Sequence, residues 1–248
     1  MTVSSNLSAA AKDGEPAVFR MPAWARWFSL VGTLVLAVVA VLMLAGAIFL
    51  LFKQAWWLAA LVAAVAIFLA ALTGYVLRDL RGKWGLRVEL LADRMVLDLP
   101  GGRSLIHRPT AQHLTIGYAD IDAVEARLEG YRTLGMAMMQ RAYVLSRKQG
   151  DKIFLFEDRA LGTAFETPMV KQIADAIVAR AHVPLRDLGM VEGRGGVLAV
   201  WGTHAPDWSA PSLPLAQQLR LWRHAATTGT AAVVVIIVAL AIRLMVGS

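Results

Sequence analysis

Residues 27–77 read WFSLVGTLVLAVVAVLMLAGAIFLLFKQAWWLAALVAAVAIFLAALTGYVL, and this stretch decides the architecture. Trp27 to Phe52 carries no charged residue, and after Lys53 and Gln54 a second uncharged run extends from Ala55 to Leu77. Each run exceeds the roughly 20 residues that a helix needs to cross the hydrocarbon core of a bilayer. Because the connection is so short, residues 23–80 are predicted to form an antiparallel transmembrane hairpin.

A third apolar run, Ala225 to Ile242, predicts a C-terminal transmembrane helix and tail over residues 225–248. A cleaved signal peptide is the alternative for the first run, since Ala45-Gly46-Ala47 resembles a cleavage site. That run is, however, much longer than a 7–15-residue signal core, and a second run follows at once. We therefore expect membrane anchors, preceded by a disordered N-terminal tail over residues 1–22.

Basic residues flank the apolar runs unevenly. The side before the first run and after the second is basic, whereas the hairpin tip offers only Lys53. Cytoplasmic loops carry the excess of Lys and Arg, so the N-terminus and the middle of the chain are predicted to be cytoplasmic. The residues expected to contact anionic headgroups are Arg26, Arg78, Arg81, Lys83, Arg220 and Arg223.

Tryptophan and alanine residues add two further expectations for the membrane segments. Trp24 and Trp27 at one end, and Trp56 and Trp57 at the other, fit interfacial aromatic belts. Small residues recur along the second run at steps of three or four, which allows another helix to approach closely. Their partner is either the first helix of the hairpin, another membrane protein or a second copy of the chain. They are Ala59, Ala63, Ala66, Ala70 and Gly74.

Composition excludes several function classes. The chain has 248 residues, of which 57% are hydrophobic and 17% charged, and it contains no cysteine. Disulfides, thiolate metal sites and a cysteine nucleophile are thereby excluded. The formal charge of +7 lies mainly beside the apolar runs, because residues 84–224 hold 17 Lys+Arg against 15 Asp+Glu. Nucleic-acid binding is therefore disfavoured.

The residues after the hairpin predict strands followed by one helix. Leu86 to Leu90 and Met95 to Leu99 alternate apolar and polar residues, which is typical of a half-buried hairpin. Four more strands are predicted, and then one helix. It begins with Thr167 as N-cap and Pro168 in the first turn, and Met169, Ile173 and Ile177 are expected to form its apolar face. The four strands are His113–Tyr118, Ala123–Leu128, Arg141–Arg147 and Lys152–Glu157.

Two segments carry a resemblance to a known family. Residues 90–97 (LLADRMVL) and 116–124 (IGYADIDAV) resemble the opening hairpin and the I-x-Y-x-D-I-x-x-V motif of bacterial pleckstrin-homology-like domains, and the resemblance covers roughly residues 84–183. It implies an antiparallel sheet or barrel capped by one helix, and a binding or assembly role. Lipid specificity is not implied, because Arg87, Arg94 and Arg103 alternate with acidic residues.

The remainder is predicted to be a Gly/Pro-rich linker over residues 184–214 and a juxtamembrane amphipathic helix over residues 215–224. In that helix Leu215, Leu219 and Trp222 are expected to enter the membrane interface. The fold class is thus a membrane-anchored α+β protein with a two-helix hairpin and a C-terminal transmembrane helix.

No residue set predicts catalysis, a metal site or a cofactor. His107 and His113 are spaced by six residues, which suits no compact metal clip. Glu157 and Asp158, with Glu166, are expected on a solvated face, and residues 192–196 (EGRGG) are expected to be a linker because they lack the P-loop Lys-Ser/Thr. Flexible thioethers suit an adaptable partner surface, which we expect at Tyr131, Met136, Met138 and Met139.

The leading hypothesis is a non-enzymatic protein of the bacterial inner membrane whose cytoplasmic pleckstrin-homology-like domain binds or scaffolds a partner. One alternative is an accessory subunit of a larger membrane complex. The other is an enzyme acting on a lipid-linked substrate, with a pocket lined by His107, Asp120 or Glu157.

Overall fold

The computed structural model describes residues 15–104, 107, 109–133, 136–159, 161, 169–193 and 208–227. The chain divides into two compact units, residues 1–115 and 116–248, so the stretch that resembles one domain is distributed over both. The predicted third span lies outside the described residues except for its first three, which are helical.

Unit one contains two long helices and a four-stranded sheet. Helix α1 (Ala23–Phe52) and helix α2 (Trp56–Gly85) each have 30 residues. The sheet has the order β1-β2-β3-β4, formed by Ala17–Arg20, Arg87–Leu90, Arg94–Leu99 and Gln112–Gly117. The predicted hairpin of helices and the predicted hairpin of strands β2 and β3 are both confirmed.

The expectation of a disordered tail over residues 1–22 is wrong for Ala17–Arg20, because these four residues form strand β1. It pairs antiparallel with β2, and Ala17 and Phe19 point into the core while Val18 and Arg20 are exposed. Four residues are too few for their alternation to be distinguished from a tail in the sequence alone. The pairing brings the segment before α1 onto the sheet that follows α2.

The two long helices are apolar on their outer surface. Both helices are long and apolar enough to cross a membrane. Only 11% of the apolar window of α1 and 6% of that of α2 is buried, so neither helix is a core helix. At a rise of 1.5 Å per residue each is ~45 Å long. Thr33, Ala40 and Ala47 of α1 are buried, as are Ala59 and Ala66 of α2.

The base of the hairpin packs on the turn that follows β3. Arg103 in this turn is almost fully buried, and its Nη1 donates to the carbonyl oxygens of Leu99, Pro100 and Thr110. Desolvation lowers the pKa of Arg103 to about 10, which still leaves it charged at neutral pH. A buried cation thereby holds the turn together through three backbone carbonyl groups.

Unit two is a mixed sheet with the order β7-β6-β5-β8, and helix α3 packs on it. Its elements are β5 (Ile121–Thr133), β6 (Met136–Arg147), β7 (Lys152–Arg159), α3 (Met169–Ala181) and β8 (Leu185–Glu192), after a 3₁₀ turn at Tyr118–Asp120. A second helix, α4, covers residues 215–227.

Hairpin order and the helix were predicted correctly in unit two. Gly150 adopts φ +89° in the turn between β6 and β7, where only glycine is unstrained. In α3 the predicted apolar face of Met169, Ile173 and Ile177 is buried. Thr167 and Pro168 lie outside the described residues, and the N-terminus of α3 receives Asp158 of β7, whose carboxylate accepts from the N–H groups of residues 170 and 171.

Strand β8 is a correction to both the predicted linker and the predicted antiparallel sheet. His182, with φ +52°, ends α3, and the chain then returns to pair parallel with the free edge of β5. A helix between strands supplies the crossover that parallel pairing needs. The Gly/Pro content around Pro184 and Gly189 had hidden this strand.

Candidate functional site

A cavity of about 410 Å³ lies at the base of the helical hairpin in unit one, and we call it the hairpin-base pocket. Its lining combines the end of β1, the first turn of α1, the last turn of α2 and the neighbouring ends of β2 and β3. The charged and aromatic side chains in this lining are Arg20, Arg26, Lys83, Trp84, Arg87 and Asp98.

The sheet contributes a row of three charged residues to the pocket. Arg20 of β1 lies opposite Arg87 of β2, and Arg87 lies opposite Asp98 of β3. Side chains directly opposite each other on adjacent strands are close neighbours, and two like charges in that position are destabilising. Arg87 forms an ion pair with Glu89 of its own strand, and Asp98 contacts Nδ1 of His113. Arg20 has no carboxylate partner among the described residues.

The helices contribute the remaining cations. Arg26 stacks on Trp84, with 5.1 Å between its guanidinium carbon and the ring centre, and Trp84 meets Trp27 edge to face at 5.8 Å. The Nε of Arg26 is buried without an acceptor among the described residues. Lys83 is bound to Asp79 at 2.9 Å and donates to Ser29 Oγ at 2.5 Å. The helix ends are thus fixed to each other by polar contacts.

The sequence singled out Arg26 and Lys83 but missed the pocket that they share with Arg20 and Arg87. These residues are separated by up to 67 positions in the sequence. Taken singly, each is interpreted as a topology determinant or as an exposed residue of a strand. The register between β1 and β2 places Arg20 opposite Arg87, and the contacts between the helix ends bring Arg26 and Lys83 to the same pocket. The usable signal is the short alternation of apolar and polar residues that includes Phe19 and Arg20 and ends just before α1.

The other predicted interface residues occupy both ends of the hairpin and α4. The four predicted belt tryptophans are all exposed, and so is Arg81. Arg78 instead reaches the carbonyl oxygen of Ser104 and stacks on Tyr75. Arg220 and Arg223 are exposed on α4.

The small residues of α2 divide into two groups. Ala59 and Ala66 are buried at 2% exposure and Ala63 is half-buried, which places these three on the side of α2 that packs within the unit. Ala70 and Gly74 are exposed, and a Cβ added to Gly74 would meet nothing within 4 Å. Packing inside the hairpin therefore accounts for only part of the predicted stripe.

The expected partner surface is corrected at Tyr131 and Met139, which are both only 5% exposed. Met139 packs with Met190 and Leu221, because α4 lies over this end of the sheet in unit two. Met136 and Met138 lie on β6, but their side chains are outside the described part of the chain. Met139 is thus a core residue of unit two.

Glu157 and Asp158 are buried at 2% exposure, which corrects the expectation of a solvated face. The Nε2 of Gln140 donates to both Glu129 and Glu157, at 2.7 and 3.0 Å, and Arg159 donates to Glu157 at 2.7 Å. Buried carboxylates persist only when paired in this way. Among the described residues, no group of three His, Asp or Glu is arranged to hold a metal ion.

The remaining polar residues singled out by sequence are scattered. His107 is buried in unit one, whereas His113 and Asp120 are exposed, and the hairpin-base pocket is lined by none of His107, Asp120 and Glu157. The backbone N–H of Gly193 donates to the carbonyl oxygen of Gly130, so this N–H is not available to bind a phosphate. Glu166 and residues 194–196 lie outside the described residues.

Comparison of the chain with protein-family models, with curated proteins and with solved structures gave no match in any of the three.

Proposed function

We propose that this chain is a non-enzymatic, multi-pass protein of the bacterial cytoplasmic membrane whose strand-rich region binds or scaffolds a partner at the inner face. The observation that carries the proposal is the uneven charge of the hairpin. Arg20, Arg26, Arg81 and Lys83 surround its base, whereas its tip offers Lys53 alone. Membrane hairpins keep the basic end in the cytoplasm.

The exposure of the helices supports insertion. A helix of ~45 Å exceeds a hydrocarbon core of ~30 Å, so one end projects into the headgroup layer. The uncharged run of α2 stops at Leu77, eight residues before the helix ends at Gly85. Those eight residues include Arg78, Arg81 and Lys83, as expected for a projecting cytoplasmic end.

Helix α4 supports a second contact with the membrane. Leu215, Leu219 and Trp222 follow the i, i+4, i+7 spacing of one helical face, and they are 69%, 52% and 37% exposed. Leu221, at 5% exposure, attaches the helix to the sheet of unit two. An exposed apolar stripe with adjacent arginines is typical of helices that lie in the interface, and the proposed third span follows directly.

The binding role is inferred from the order of elements. Consecutive hairpins β5–β6–β7, followed by a helix that packs on these strands, support the resemblance to pleckstrin-homology-like domains. The parallel strand β8 departs from that pattern. From the resemblance we therefore infer only that this region binds a partner, and we do not infer a particular ligand.

Site-specific photocrosslinking in cells tests the binding role. A photoreactive residue is placed at Lys148 or Gln149, in the exposed turn between β6 and β7, and at Trp57 near the hairpin tip as a control. The proposal predicts one discrete crosslinked product from the turn and none of the same mass from Trp57. Turnover of a lipid-linked substrate by purified protein, abolished by one polar substitution, would contradict the non-enzymatic assignment.

An accessory-subunit role is a second candidate, favoured by the exposure of Ala70 and Gly74 on α2. Small residues on an outer helix face allow a neighbouring membrane helix to approach. Ala70→Leu and Gly74→Leu are then expected to remove a larger species seen on native gels in mild detergent. Migration of the unsubstituted chain as one monomeric species would dismiss this candidate.

A further inference from the structure

We propose that the hairpin-base pocket binds a phosphate group, held between the guanidinium groups of Arg20 and Arg26 with Lys83 and Arg87 at its sides. The pocket is a concave site in which four cations face one carboxylate, that of Asp98. Arginine forks match the oxygen geometry of phosphate, and charge-assisted hydrogen bonds of this kind are the strong ones.

The pairing of Arg20 with Arg87 is the first argument. Their strands place the two side chains directly opposite each other, on the same face of the sheet and at the pocket wall. Such a like-charge pair costs stability, and Glu89 compensates only Arg87 of the pair, which leaves Arg20 without a counter-charge among the described residues. Local rules are broken most often where a site needs the residues for function.

The acidic groups near the pocket are already engaged, which leaves net positive charge for a ligand. Glu89 is paired with Arg87, Asp79 with Lys83, and Asp98 contacts the imidazole of His113. Arg20 and Arg26 have no carboxylate partner in the described part of the chain. Two cations therefore remain to be compensated.

Arg26 supplies an independent argument. Its guanidinium is held over the face of Trp84, and its buried Nε has no acceptor among the described residues. A buried donor without an acceptor is costly in a folded protein. The stacking also fixes the orientation of the fork, so little rotamer freedom remains to be lost when an anion binds.

The depth of the pocket favours a lipid headgroup as the source of the phosphate, and this step rests on the proposed insertion of the hairpin. Lys83 lies six residues beyond Leu77, or ~9 Å along the helix axis. That distance places the pocket in the headgroup layer of the cytoplasmic leaflet, where anionic lipids are concentrated. The phosphate site itself does not depend on the insertion.

The lipid arm of the test uses the full-length protein purified in a neutral detergent. Apparent Kd values are measured by native mass spectrometry with dioleoylphosphatidylglycerol and dioleoylphosphatidylcholine. Arg20→Gln and Arg26→Gln are each expected to weaken phosphatidylglycerol binding about tenfold, because each removes a direct charge-assisted hydrogen bond to the phosphate. Circular dichroism confirms that each variant keeps its secondary structure.

Arg81→Gln is the matched control, because Arg81 is an exposed arginine at the same end of α2 that does not line the pocket. It is expected to change the affinity less than twofold. Equal losses in Arg20→Gln, Arg26→Gln and Arg81→Gln would show unspecific attraction by surface charge and would overturn the proposal.

The soluble arm separates the two sources of phosphate. Glycerol 3-phosphate and inorganic phosphate are titrated calorimetrically into the same protein without added lipid. Binding that requires Arg20 and Arg26 supports the site with a soluble ligand, even if the hairpin proves not to cross a membrane. If the unsubstituted protein neither prefers phosphatidylglycerol over phosphatidylcholine nor binds glycerol 3-phosphate or inorganic phosphate, the site is refuted, and the proposed scaffold role is left to its own crosslinking test.

Discussion

Gly82 of α2 and Gly102 of the turn after β3 lie so close that no side chain fits between them. A Cβ built on Gly82 would be 2.4 Å from the carbonyl oxygen of Gly102, and one built on Gly102 would be 2.0 Å from that of Arg78. This contact joins the last turns of the hairpin to the sheet in unit one. It therefore also fixes the geometry of the hairpin-base pocket.

Gly82→Ala is expected to lower the free energy of unfolding by about 3 kcal/mol, because the backbone of the turn must move to accommodate the methyl group. Thermal unfolding in detergent, followed by circular dichroism, measures the effect. The matched control is Gly74→Ala in the same helix, where the added Cβ meets nothing. An equal response of the two variants would contradict the close contact.

Gln140→Ala is expected to destabilise unit two by about 3 kcal/mol. The substitution removes the amide that donates to both Glu129 and Glu157, so that two buried carboxylates each lose a donor. Gln149→Ala, in an exposed turn, should stay within about 0.5 kcal/mol of the unsubstituted chain. Denaturant unfolding compares them, and a silent Gln140→Ala would mean that the network contributes nothing to stability.

Tyr143 is expected to make the fold sensitive to alkaline pH. Burial, reinforced by Asp158, raises the pKa of Tyr143 above its ordinary value. A raised phenol pKa contributes stability that is present below about pH 10, the unfolded pKa, and is lost as the pH rises further. The free energy of unfolding should therefore fall less steeply above pH 10 in Tyr143→Phe than in the unsubstituted chain. Parallel slopes for the two proteins would exclude Tyr143 as the cause.

The sequence predicts local elements well and the assembled sites poorly. The uncharged runs predict α1 and α2, and the spacing of Met169, Ile173 and Ile177 predicts the buried face of α3, because both patterns are local. Strand β1 is missed because four residues are too few to show a strand pattern, and only pairing with the distant strand β2 reveals it and places Arg20 opposite Arg87.

Burial of charged residues is the other property that the sequence does not reveal. Glu157 and Asp158 look solvent-exposed in the sequence because their partners are distant or unexpected. Glu157 accepts a hydrogen bond from Gln140 on the neighbouring strand β6, and Asp158 caps the N-terminus of α3. Burial of Met139 is not predictable from its neighbours, because the helix that covers it begins some 75 residues later, at residue 215.

The orientation of the hairpin is the central claim, and the chain allows a direct measurement because it contains no cysteine. Lys53→Cys places a single thiol at the hairpin tip, and Gln149→Cys places one in the exposed turn of unit two. Each variant is treated with a membrane-impermeant maleimide in intact spheroplasts and in lysed cells. We predict that Lys53→Cys is labelled in intact spheroplasts and Gln149→Cys only after lysis. Labelling of Gln149→Cys in intact spheroplasts, or protection of Lys53→Cys there, would contradict the account.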